Sequence, residues 1–114
     1  MPTTNALDAL TAAPLHHRLL LENDSVRILD TRIEPGDTVP LHTHQHPAAY
    51  YILSWSDFIR RDQHNNITLD SRANSRDLKP GQAIWSQPLG PHTLENVGNS
   101  PLHLISVEVK AGPR

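Results

Sequence analysis

Three histidines, His42, His44 and His46, fall within five residues in the run HTHQHP. A neutral imidazole offers a lone pair to a transition metal, and its charge changes near neutral pH. Residues two apart on an extended strand project to the same side. His42 and His44 therefore present their rings together, close enough to share one ion. His46 joins them only if the strand runs on through Pro47, where a proline ring bends the chain and removes a ladder donor. Another histidine, His92, stands in the strand-like stretch GPHTLEN. Two rings from one strand and one from a facing strand make a three-nitrogen cap. Such a cap leaves coordination positions for water or substrate, as catalytic metal sites require. Iron, zinc, nickel, cobalt and copper suit neutral imidazole, manganese less well, and all remain candidates.

The elements that must carry these rings read as strands. SVRILDTRI alternates apolar and polar residues, with Val26 and Ile28 in one phase and Thr31 and Ile33 in the other after a slip. EPGD at 34–37 and KPGQ at 79–82 place proline second and glycine third, as a type II turn demands. VPLHTH follows the first turn, and Pro40 predicts an edge or a bulge there. AAYYILSWSDFIRRD reads as one or two strands, and ITLDSR, AIWSQ and HTLEN as short ones. LHLISVEV alternates strongly, with His103 on its polar face. Short strands separated by turn residues point to an all-β sandwich or barrel. Residues 1–24 form an N-terminal extension with a short helix or lead-in, and 25–114 a single β-domain.

Composition narrows the partners. The chain has 114 residues, 37% hydrophobic and 19% charged, with a formal net charge of −2. One domain with a modest core fits that length. No basic surface calls for nucleic acid or an anionic membrane, and no apolar run approaches a bilayer span. A cytoplasmic protein acting on a small molecule is the expectation. The absence of cysteine excludes disulfides, zinc–thiolate sites and thiol catalysis. Phosphate loops, nucleotide fingerprints, Ser-His-Asp cues and paired catalytic carboxylates are missing too.

The stretch GDTVPLHTHQHPAAYYILSW resembles the first motif of the cupin superfamily, with Gly36, His42 and His44 matching in type and spacing. GQAIWSQPLGPHTLEN resembles the second, with Gly81, His92 and Asn96 at the expected separations and Pro88 and Gly90 each one place late. The resemblance covers Val26 to Val109. It implies an all-β, cupin-type double-stranded β-helix (a jelly-roll barrel), a divalent metal ion on His42, His44 and His92, and a homodimer. It also exposes a departure. The first motif's glutamate falls at Ala48, so the usual three-His, one-Glu set is reduced to three histidines, or four if His46 takes part.

Without that carboxylate, a divalent ion on neutral imidazoles keeps its full charge and acidifies its water. It also gains a free position, at the cost of weaker binding. Tyr50 shares a strand face with Ala48, and these two are the candidate substrate-pocket residues. No catalytic residue is assigned. Trp55, Trp85 and Tyr51 read as core or interface, Asn96 as a support for the barrel backbone, and Arg60, Arg61 and Glu95 as solvated or, alternatively, as groups that grip a substrate carboxylate. His16, His17, His64 and His103 read as structural or exposed. Three functions stay open: a metal-dependent enzyme of the dioxygenase or isomerase kind, a non-catalytic cupin that binds or senses a small molecule, and a structural barrel whose role is carried by its partner.

Overall fold

A computed structural model describes residues 6–73 and 78–110; the outermost residues of both sequence-defined segments lie outside it. Among the described residues a one-turn helix, α1 (Ala9–Ala12), is followed by nine strands: β1 (His17–Glu22), β2 (Val26–Ile33), β3 (Thr38–His44), β4 (Ala48–Ser54), β5 (Phe58–Asp62), β6 (Ile67–Asp70), β7 (Ala83–Ser86), β8 (Leu89–Asn96) and β9 (Leu102–Val109). They form two sheets, ordered β1-β2-β9-β4-β7 and β3-β8-β5-β6, and every strand pair is antiparallel. The all-β barrel expected from the sequence is the fold observed. β1 lies within the stretch read as an extension, yet it is a full strand of the larger sheet.

The two Pro-Gly turns form as their residues require. Gly36 and Gly81 sit at φ +85° and +90°, a region that costs glycine nothing and other residues strain. Each turn closes with an i to i+3 bond: the Asp37 amide donates to Glu34 at 3.0 Å and that of Gln82 to Lys79 at 3.1 Å.

The sheets face each other over a core of Ala13, Ile33, Val39, Phe58 and Leu102, with Trp55, Leu69, Leu94 and Leu104 against it. This apolar packing fills one end. At the other end the same inward faces turn polar. β2 runs without the expected slip, so Arg27, Leu29, Thr31 and Ile33 all point inward and Val26 and Ile28 do not. In β9 the inward face reads Leu102, Leu104, Ser106, Glu108. Arg27 and Glu108 point inward because they are buried as ion-paired partners, which makes a charge in a dry interior tolerable. Trp85 and Tyr51, read as core or interface, are about half exposed and so lie outside the core.

Asn96 ties the barrel together, as its position predicts. Its Nδ2 donates to Ile33 and Ser100 carbonyls at 2.8 and 2.9 Å, and its Oδ1 accepts from Ser56 Oγ and the Gly98 amide at 2.7 and 3.0 Å.

Candidate metal centre

β3 is an edge strand of the smaller sheet, and its pairing with β8 slips between Val39 and His42. Pro40, which cannot donate to the ladder, lies in that slip. The bulge resets the phase. Val39 joins the apolar core while His42 and His44, three and five residues on, both turn inward and are buried. β8 delivers His92 directly opposite His42. β3 ends at His44, so His46 lies at a bend beyond the strand and is only half-buried. The structure brings His42, His44 and His92 together and leaves His46 outside.

It also adds a ring read as structural or exposed. His17, at the start of β1, is 5% exposed. The ligand nitrogens of His17, His42 and His44 all lie within 4.8 Å of one another. Ring centroids of His17 stand 5.0 and 5.5 Å from those of His42 and His44, and the His92 ring lies 4.3 Å from His42. Sequence reasoning missed His17 because it belongs to no spacing pattern. Only the β1–β2 pairing, which sets His17 opposite Thr31, carries it to the site.

The protonation of these rings follows from their neighbours. Nδ1 of His17 faces the Ala13 carbonyl at 3.0 Å, that of His42 the Pro40 carbonyl at 2.7 Å, and that of His92 the Gly90 carbonyl at 2.7 Å. Nδ1 of His44 faces Oε2 of Glu108 at 3.3 Å. Carbonyl and carboxylate oxygens can only accept, so each Nδ1 bears a proton, and a ring that is neutral keeps its lone pair on Nε2. Burial pushes His17 and His92 down to about 4, and burial with the nearby His92 and His44 rings pushes His42 down to about 2. At neutral pH these three are uncharged.

Glu108 is fully shielded from solvent and was not singled out in the sequence. Burial alone would raise its pKa, but hydrogen bonds from His44 and Arg27 outweigh that and hold it below its ordinary value. Arg27 donates Nε to Glu108 at 2.8 Å and Nη1 and Nη2 to Asp8 at 3.0 and 2.7 Å. The signal for Glu108 lay in β9, where the period-two face of Leu102 and Leu104 continues to residue 108.

A cavity of about 300 Å³ opens beside the cluster. The four histidines, Tyr50 and Arg60 line it among mostly aliphatic and aromatic walls. Ala48 does not line it; it pairs with Glu108 across β4 and β9. Arg61 pairs with Glu95 at 3.0 Å, and His103 with Asp30 at 2.7 Å. Among the described residues, no helix is long and apolar enough to cross a membrane.

Solved structures share the fold. A cupin domain from Bordetella pertussis matches with a TM-score of 0.66 at 16% identity, over 83% of this chain and 92% of that one. An RmlC-like cupin with a double-stranded β-helix from Methanocaldococcus jannaschii matches at 0.58 and 13%, over 82% and 77%. The DMSP lyase DddQ of Ruegeria pomeroyi matches at 0.54 and 16%, over 83% of this chain and 47% of that one. These likenesses show the fold: the chain is built as a cupin-type double-stranded β-helix. No family model and no curated protein sequence matches it.

Proposed function

We propose that the histidine cluster holds a divalent metal ion and that the protein acts on a small organic molecule bound in the adjoining cavity. One observation carries this reading. Four buried rings meet at one end of the barrel, each with Nδ1 held by an acceptor and Nε2 turned away from it. Metal-binding histidines are oriented in this way, the far nitrogen hydrogen-bonded to a carbonyl or carboxylate. His17, His42 and His44 would hold the ion, with His92 beside His42. Bound there, a divalent ion supplies Lewis acidity, or redox chemistry with oxygen if it is iron or copper. The chain supplies the rest. The apolar walls shed water from the substrate, and Arg60 and Tyr50 give it polar groups to orient against. A lyase among the structural neighbours is in keeping with an enzymatic role.

Elemental analysis of the purified protein tests this. Stoichiometric metal, lost in His42→Ala, is the expected result. No metal after saturating supply would overturn it. The largely apolar cavity favours a second reading, a binding or sensing module, which a small molecule retained without turnover would support.

A further inference from the structure

A buried ionic chain runs behind the histidines, from the N-terminal segment to His44. Asp8 caps α1 by accepting from the Leu10 amide at 3.1 Å. It also takes both terminal nitrogens of Arg27 at 3.0 and 2.7 Å. Arg27 Nε reaches Oε1 of Glu108 at 2.8 Å, and Oε2 of Glu108 faces Nδ1 of His44 at 3.3 Å. Every member of the chain is less than a tenth exposed.

Such a chain calls for a reason beyond stability. Apolar side chains of the same volume often serve the fold as well as a buried ion network, because each charge must first be stripped of water. Two features suggest the reason. Two carboxylates and one guanidinium leave a single negative charge beneath the cluster. Glu108 also stands directly across the ladder from Ala48, the place where the resembling motif carries its glutamate.

We infer that Glu108 is the positioning residue of a divalent-cation site, holding His44 with Nδ1–H toward β9 and Nε2 toward the cavity, and supplying through that imidazole the negative charge that Ala48 lacks. This rests on the metal reading above. Asp8 and Arg27 fix Glu108 in turn. The charge strengthens His44 as a donor without occupying a coordination position. The centre is therefore suited to a divalent cation that keeps open positions for an added ligand.

Cobalt(II) titration of the chelator-treated full chain tests the inference. Glu108→Gln keeps the side chain's shape but removes the charge and leaves one accepting oxygen where the carboxylate offers two, one to Arg27 and one to His44. It is expected to weaken Co²⁺ binding by about 10- to 100-fold, with the far-UV spectrum of the folded protein retained. Affinity within twofold of the unsubstituted protein would overturn the inference, since a purely structural carboxylate would change melting and leave the affinity of the folded molecule alone. A second measurement needs no variant. Histidine-ring ¹⁵N spectra of the metal-free unsubstituted protein should show His44 as the Nδ1–H tautomer, and the Nε2–H tautomer would refute the orientation. If the unsubstituted protein binds no Co²⁺, the metal function falls. The tautomer, read without metal, then still decides whether Glu108 orients His44.

Discussion

Lowering the pH from 7 to 5 should bring the metal-free protein to the edge of unfolding. His17 and His92 stay neutral in the fold down to about 4, and His42 to about 2. In an unfolded chain each imidazole takes up a proton near pH ~6.5. Between roughly 6.5 and 4 the unfolded chain therefore binds more protons, and stability falls as pH falls through that window. At pH 5 each unfolded imidazole lies ~1.5 units below its pKa, worth about 2 kcal/mol at ~1.4 kcal/mol per unit. Three such groups cost about 6 kcal/mol together, against a total of about 5–15 kcal/mol for an ordinary domain. Urea unfolding of chelator-treated protein, followed by tryptophan fluorescence, measures the effect. The midpoint should fall by half or more between pH 7 and pH 5. His42→Asn removes one of the three groups and should shrink the pH-dependent loss by about one third. Equal midpoints at the two pH values would refute the neutral cluster.

His17→Ala should cut metal uptake as deeply as His42→Ala, while His46→Ala leaves it unchanged; equilibrium dialysis of folded variants compares them. Asn96→Ala leaves two carbonyls, a hydroxyl and an amide without their partner, at about 1 kcal/mol or more each. A thermal melt should show a drop well beyond 5 °C (about 1 kcal/mol shifts Tm by ~4–8 °C in a domain this small). Gly98→Ala would set a Cβ 2.1 Å from Ser56 Oγ and 2.9 Å from the Asp57 amide. A clear loss of Tm is expected there as well, and an unchanged Tm would show that the turn relaxes freely. Leu19, Leu20 and Leu21 are each nearly half exposed on the edge strand β1. A homodimer is proposed, and light scattering should give twice 12.7 kDa; a monomer at micromolar concentration would refute it.

The parts of the site legible in the sequence are those fixed by local spacing. His42 and His44 are two apart, and a strand makes that a shared face whatever its surroundings. Pro40 announced its bulge because a missing amide is a local fact. Arg27 and Glu108 were illegible for the opposite reason. In SVRILD and SVEV the apolar residues alternate with these charges, and the ordinary rule that the apolar phase faces inward fails where charges are buried in pairs 81 residues apart. Ala48 was read as a lost ligand. The structure sets a carboxylate opposite it, a relation that exists only through the β4–β9 register.

The N-terminal stretch thus has a bearing on how this barrel can be handled. Trimming it at Ser25, where the strand pattern strengthens, would take away His17 and Asp8 in one cut. Arg27 would keep a single carboxylate in a dry interior, and the Thr43 amide would lose its bond to the Leu7 carbonyl at 2.6 Å. A shortened recombinant chain is therefore expected to be poorly soluble.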